Sequence, residues 1–248
     1  MNIVVCISSV PDTTSKINFT DNNTKFDTDG VQFVINPYDE FGLTKAMMIK
    51  EKLGANVTVI SVGEENTEPV IRKSLAIGAD NAIRISKKPT DSYSVAIEIA
   101  NYLKENPADL IIAGRESIDY NGGAVPGMIA EILELPFINA CIGLNLFEEK
   151  VSLIREVRGG KETVSTKLPL VIGGQKGLVE ESELRIPNMR GIMQARSKPL
   201  TVIEATNNDK LSMSISFEKP LGKKSCKLID SENVKELINL LQNEAKVI

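Results

Sequence analysis

ADLIIAGRESIDYNGGAVPGMIAEIL, Ala108–Leu133, is the stretch whose reading decides the fold. Leu110, Ile111 and Ile112 form a continuous apolar run that predicts a buried strand. Val125, Ile129, Ile132 and Leu133 recur at i, i+4, i+7 and i+8, the spacing of one helix face. Pro126 suits the first helical turn, where its missing N–H has no partner to lose. Gly122 and Gly123 stand just before that helix. A loop without Cβ atoms lets backbone N–H groups approach an anion, and a helix N-terminus adds partial positive charge. A parallel α/β sheet usually holds a phosphate in this way, outside the carboxyl ends of its strands. The candidate nucleotide loop is therefore Gly114, Arg115, Glu116, Ser117, Ile118, Asp119, Tyr120, Asn121, Gly122, Gly123, Ala124 and Val125. The plainer alternative is a strand-to-helix connection whose glycines serve only a tight turn, and the loop alone does not separate the two.

Upstream, the same alternation repeats. Ile3–Ile7 is fully apolar, as a strand covered on both faces requires. The turn after it, SSVPDT (Ser8–Thr13), has no glycine, which counts against a GxGxxG dinucleotide fold. Residues 18–30 are rich in Asn, Asp and Thr and predict a surface excursion. Val31–Ile35 predicts a second strand. Asn36-Pro37 opens a helix over Tyr38–Leu53, stopped by Gly54. Val57–Val62 is the next strand, followed by a helix from about Glu68, with Pro69 in its first turn and Gly78 after its end. Ala82–Ile85 is a short strand, and Asp91 caps a helix on Val95, Ile99, Tyr102 and Leu103. Strands alternating with helices predict a parallel sheet with helices on both faces.

Downstream of Pro136 the texture becomes β-like. Phe137–Leu144, Val151–Val157, Glu162–Ser165 and Leu168–Ile172 predict short strands, two of them a hairpin through Gly159-Gly160. Residues 180–199 read as a polar loop, Leu200–Ile203 as one more strand, and Asn207–Lys224 as irregular. Ser231–Ala245 predicts an amphipathic helix on Val234, Leu237, Ile238 and Leu241. Such a tail packs back on its own domain or wraps a partner, and its length favours the partner.

The bulk properties narrow the function. The 248 residues are 42% apolar and 25% charged, the balance of an ordinary globular protein. A net charge of -4 gives no basic field for nucleic acid or an anionic membrane. No apolar run reaches the length of a membrane span or resembles a signal peptide, so the cytoplasm is the expected compartment. Cys6, Cys141 and Cys226 are far apart and odd in number, which disfavours a disulfide framework or a thiolate metal site. The chain has no histidine and no tryptophan. The commonest general base, Ser-His and Cys-His pairs and imidazole metal ligands are thereby excluded. The composition points to a protein that binds something and lets the bound molecule react.

A set of motifs then follows in order: VPDTTSKI (10–17), DTDGVQFVINPYDEFGLTKAM (27–47), IRKSLAIGADNAIRI (71–85), GRESID (114–119), REVRGGKETV (155–164), LPLVIGGQKGLVE (168–180) and LRIPNMRGIMQARSKPL (184–200). Together they resemble the β subunit of electron transfer flavoprotein over nearly the whole chain. The resemblance implies a Rossmann-like, adenine-nucleotide α-hydrolase-like α/β domain over 1–183. A partner-recognition loop over 184–199 and an arm over 200–248 that wraps the α subunit follow it. It implies a heterodimeric electron carrier rather than a catalyst, with FAD held mainly by the α subunit and AMP in this one. Electrons would pass from acyl-CoA and other flavin dehydrogenases, in fatty acid β-oxidation, to an electron transfer flavoprotein–quinone oxidoreductase. In the bifurcating branch a second FAD replaces AMP and takes hydride from NADH.

Carried over by position, the resemblance places Cys6, Asn36, Pro37, Tyr38, Asp39 and Val62 in the nucleotide pocket with the 114–125 loop. Thr13 and Tyr38 would lie near the partner's FAD. Met189, Arg190, Ile192, Met193 and Arg196 would dock the dehydrogenases, with Lys198 beside them. Taken singly, Cys6 reads as a small core residue, Asn36 as a turn residue and 184–199 as a solvated basic loop. The chain also departs from the family. Where members carry a carboxylate and then Thr or Gln side chains, it has Asn121 through Val125, which leaves phosphate contact there to backbone N–H groups. AMP, a second FAD and an empty pocket all stay open. VPDT at Val10–Thr13 is closer to the bifurcating branch. Two readings from other classes fare worse. An ATP-using α-hydrolase would need an SGGxDS-type loop where SSVPDT stands, and a small stress-type nucleotide-binding module would lack the long tail.

Overall fold

The computed structural model describes residues 1–147, 150–206, 209–222 and 225–248. The ends of the predicted irregular stretch, Asn207, Asn208, Lys223 and Lys224, lie outside the described residues. In chain order the strands are β1 (Asn2–Cys6), β2 (Ser9–Pro11), β3 (Asn18–Thr20), β4 (Lys25–Asp27), β5 (Phe33–Ile35), β6 (Asn56–Gly63), β7 (Asn81–Ser86), β8 (Leu110–Gly114), β9 (Phe137–Leu146), β10 (Val151–Val157), β11 (Gly160–Thr166), β12 (Leu170–Gly174) and β13 (Leu200–Glu204). The helices are α1 (Pro37–Leu53), α2 (Glu68–Ile77), α3 (Ser92–Glu105), α4 (Val125–Ile132), α5 (Met189–Ala195) and α6 (Val234–Asn239).

Nine strands form one sheet in the order β11-β10-β9-β12-β8-β1-β6-β7-β13. The seven from β9 to β13 pair in parallel, and the β10–β11 hairpin extends one edge antiparallel. This is the predicted Rossmann-like architecture. Successive β1 residues face opposite sides. Ile3, Val5 and Ile7 join Leu43, Met47, Ile71 and Leu75 of α1 and α2 in one core. Val4 and Cys6 join Ile99, Leu103 and Ile129 of α3 and α4 in the other. A strand buried on both faces has no polar side to show, which is why these strands read as unbroken apolar runs. The helix signals also hold. Gly54 at φ 67 ends α1 in the left-handed conformation, and Asp91 caps α3 by accepting from Ser94 N at 2.8 Å.

Several expectations need correction. VQFVI shrinks to Phe33–Ile35 and leaves the main sheet, pairing antiparallel with Ser9–Pro11 in a two-stranded ribbon. The surface excursion contains a second small hairpin, β3–β4. The β10–β11 turn is Arg158-Gly159, with Gly159 at φ 92, not Gly159-Gly160. The 180–199 stretch is not all loop, because Asn188 caps α5 through its Oδ1, accepting from Gly191 N at 2.8 Å. A helix this short is marginal alone, so contact with α2 sustains it. The β13 strand completes the sheet edge beside β7, and the arm leaves the sheet after Glu204. The last helix is α only to Asn239 and continues as a wider π turn over Leu240–Ala245. Among the described residues, no helix is long and apolar enough to cross a membrane.

A candidate nucleotide site at the switch point of the sheet

From β1 the chain runs outward through β6 and β7 on one side, then returns to build β8 and β12 on the other. The loops at the carboxyl ends of β1 and β8 therefore diverge, and a crevice opens between them. A cleft of about 490 Å³ occupies that place. Its walls come from the ends of β1 (Cys6, Ile7, Ser8, Ser9), β6 (Val62) and β8 (Ala113, Gly114), from the loop after β8, and from the starts of α3 and α4.

The floor is built around Asp39 in the first turn of α1, which is buried. Its Oδ2 accepts from Ser8 N at 2.7 Å and its Oδ1 from Gly114 N at 2.8 Å. One carboxylate thus clamps the two diverging strand ends together. Asn36 does the same for the loop beyond. Its Nδ2 donates to Glu116 O at 2.9 Å and its Oδ1 accepts from Ile118 N at 3.2 Å. The loop closes on itself through Ser117 N to Gly122 O at 3.1 Å. Asn121 takes φ 49 at its tip, a conformation that Asn tolerates better than most residues.

Burial drives the electrostatics of the floor. It pushes the Asp39 carboxyl up to about 7, although bonds from Ser8, Asn36 and Gly114 pull the other way. Burial and then the Asp39 charge push the Cys6 thiol up, so it stays a neutral S–H. The folded pKa of Asp39 is thus raised above the ordinary 3.8. The native state holds the extra proton, so this contribution is fully present below about pH 4 and is lost as pH rises through about 7. Asp39→Asn is expected to remove a stability slope of up to about 1.4 kcal/mol per pH unit in that window. It also turns an amide N–H against Ser8 N or Gly114 N and lowers stability at every pH. Urea unfolding of both forms across the window measures both effects, and parallel pH profiles would refute the buried-acid assignment.

Of the residues expected in the pocket, Cys6, Asp39, Val62, Gly114, Glu116, Ser117, Asp119, Tyr120, Gly122 and Val125 line the cleft. Asn36, Pro37, Tyr38, Arg115, Ile118, Asn121, Gly123 and Ala124 stand outside its lining. Asn36 acts on the loop from behind. Arg115 turns to another cluster, with Cζ 5.8 Å above the Tyr38 ring and Nη1 donating to Gln175 Oε1 at 2.8 Å. Besides Ser117 and Tyr120 of the loop, hydroxyls come to the cleft from Ser8, Ser9, Thr67, Thr90 and Ser92, whereas residues 121–125 carry none. Among the described residues no Lys or Arg lines the cleft, whereas Asp39, Asp91, Glu116 and Asp119 do. An anionic group would therefore rely on backbone N–H groups and hydroxyls. The Ser8–Ser9 pair was a legible signal, but Thr67, Thr90 and Ser92 come from elements that only the fold brings together.

Thr13 and Tyr38, expected together near a flavin, lie beyond opposite ends of the β2–β5 ribbon. In its register Ser9 faces Ile35 and Pro11 faces Phe33. On the far side of α2, α5 presents Met189, Ile192 and Met193 to solvent, with Arg190 and Arg196 exposed beside them. A groove of about 680 Å³ runs alongside, lined by Pro69, Arg72, Lys73, Ile192 and Arg196 among others. Lys198 is not a free steering charge. Its Nζ donates to Leu75 O at 3.0 Å and Ala79 O at 2.6 Å, closing the carboxyl end of α2. Gly191 lies so close to α2 that a Cβ there would collide with Ala76 O. Gly191→Val is therefore expected to lift α5 off α2. Trypsin should then cut at Arg190 and Arg196 several-fold faster, and an unchanged cleavage rate would contradict this seating.

A cleft at the switch point of a parallel sheet defines the chain as an α/β protein with a crevice where such folds bind their ligands. The model of the electron transfer flavoprotein domain matches residues 23–208. The chain is similar to the electron transfer flavoprotein subunit beta of Bacillus subtilis (strain 168), at 35% identity with 100% of both chains covered. It is similar to the protein of the same name from Syntrophomonas wolfei, at 31% identity over 100% of this chain and 98% of that one. Protein FixA of Azotobacter vinelandii is 30% identical over 82% of this chain and 74% of its own length. The chain belongs to the electron transfer flavoprotein family, as a β subunit.

Proposed function

We propose that this chain works in a heterodimer with an α subunit that carries most of the FAD site. The pair accepts electrons from flavin dehydrogenases such as acyl-CoA dehydrogenases and delivers them to a quinone oxidoreductase. In this role the β chain is a carrier subunit with no chemistry of its own, and AMP occupies its switch-point cleft without redox work. The observation that carries the reading is the cleft itself. Its volume of about 490 Å³ lies within the ~300–1,000 Å³ usual for small-molecule sites, and its place at the switch point suits a nucleotide. Support for partner contacts comes from the exposed Met189, Ile192 and Met193 and from the arm, where Leu221, Leu228, Val234, Leu237 and Ile238 are exposed. Apolar side chains in a row at the surface mark contact with another chain.

The second reading is a bifurcating subunit with FAD in the cleft and NADH as donor. The Val10–Thr13 sequence favours it. One experiment separates the two. The complex is co-expressed with its α subunit and denatured, and the released nucleotides are counted per heterodimer by mass spectrometry. One FAD plus one AMP is the expected result. Two FADs would replace the simple carrier with the bifurcating one. FAD alone would remove the nucleotide from this cleft.

A further inference from the structure

Part of the cleft wall comes from a place that no sequence pattern announces. Ser212, Met213 and Ser214 of the arm line it together with Cys6, Val62 and Ile99. They are held there by Asp91. Its Oδ1 accepts from Ser94 N at 2.8 Å and caps α3, while its Oδ2 accepts from Leu211 N at 2.6 Å and Ser212 N at 2.8 Å. One carboxylate thus serves both the helix start and the arm.

The arm is also pinned on both sides of this stretch. Before it, Thr206 donates through N and Oγ1 to Glu98 Oε2 at 2.9 and 3.1 Å, and Glu98 is buried in an ion pair with Lys87. After it, Phe217 stacks on Phe19 with ring centroids 4.9 Å apart, and its N donates to Asn23 O at 2.7 Å. Lys219 Nζ donates to Asn18 Oδ1 at 2.7 Å. The first part of the arm therefore packs back on its own domain. Among the described residues, hydrogen bonds made by 226–248 stay within that segment.

We propose that residues 211–214 are a strap across the nucleotide cleft, tied by Asp91, and that Met213 in the strap contacts the base of the bound nucleotide. This rests on the reading of the cleft as a mononucleotide site. Met213 is exposed at 63% while it lines the cleft, so an occupant gains contact with it. An unbranched, polarizable thioether suits the flat face of an aromatic base. The nucleotide leaves when the strap lifts, and the Asp91 bonds oppose that lifting. Burial raises the Asp91 carboxyl, but bonds from Ser94, Ser212 and Leu211 together outweigh it and hold it down to about 2. The tie stays charged throughout the neutral range.

The test uses the αβ complex stripped of nucleotide and probed with AMP. Asp91→Asn keeps an oxygen for Ser94 N–H but turns an amide N–H against Leu211 N and Ser212 N, so the cap survives and the tie is broken. Met213→Ser alters an exposed side chain and leaves the fold alone. AMP dissociation is expected to quicken tenfold or more in the first variant and several-fold in the second. In the wild-type complex, amide exchange over 209–217 should slow when AMP saturates the site. If AMP binds the wild type but leaves both variants at the wild-type rate, with exchange over 209–217 indifferent to it, the strap is wrong and the cleft stands. If AMP does not bind the wild-type complex at all, the cleft reading fails and takes the strap with it.

Discussion

Gly114→Ala should destabilise the chain by roughly 1–3 kcal/mol, the range for overpacking a filled site and for leaving a buried polar group short of a hydrogen-bond partner. Gly114 ends β8 with φ outside the left-handed region, so space rather than conformation demands glycine there. A Cβ would collide with Asp39 Oδ1, approach Tyr38 Cβ at 2.8 Å and reach Asn36 Nδ2 at 3.0 Å. Asp39 and Asn36 are the two side chains that clamp the cleft, and Tyr38 stands between them in the chain. To make room, α1 must shift away from β8, and the bond from Gly114 N to Asp39 stretches. The carboxylate then keeps only Ser8 N of its two backbone donors. Denaturant unfolding measures the loss, and nucleotide content of the purified complex should fall with it. A variant within about 0.5 kcal/mol of the parent would mean that the floor is looser than its geometry implies.

Met189→Asp is expected to slow reduction by a dehydrogenase by roughly 30-fold, the ~2 kcal/mol that a hot-spot side chain contributes at an interface. Met189 is 76% exposed at the first position of α5. An acidic residue there is compatible with the helix N-terminus, so α5 should persist. FAD content and stability should stay at parental values while the rate with the partner flavoenzyme falls. Arg190 and Arg196 remain, so the residual rate should drop further with added salt. Electron transfer at the parental rate would place the docking surface elsewhere.

These expectations draw on different depths of the sequence. The strand at Leu110–Gly114 and the helix from Val125 were legible because burial on both faces writes a run and burial on one face writes a period. Asp91 was legible as a cap because capping is a contact between neighbours. Its second task, holding Leu211 and Ser212, was not, because those partners lie 120 and 121 residues away. Residues 180–199 hid α5 for a similar reason. Seven residues with a glycine among them carry little helical signal, and α2 supplies the stability through contacts at Gly191, Arg72 and Lys198. Lys198 read as a neighbour of the docking residues, because its target carbonyls, Leu75 O and Ala79 O, lie far back in the chain at the end of α2.

The sequence by itself determined the α/β class, the parallel core, the place of the cleft beside the Gly114–Val125 loop and, through its ordered motifs, the family. All of these depend on local patterns or on residues that act where they stand. Only the tertiary structure decided what fills the walls. It set Ser8, Thr67, Thr90 and Ser92 around the 114–125 loop, kept Asn36 and Arg115 out of the cleft lining, and brought residues 212–214 of the arm to its wall. A binding site is a convergence of strand ends, and convergence is fixed by the order of strands in the sheet, which no stretch of the chain contains.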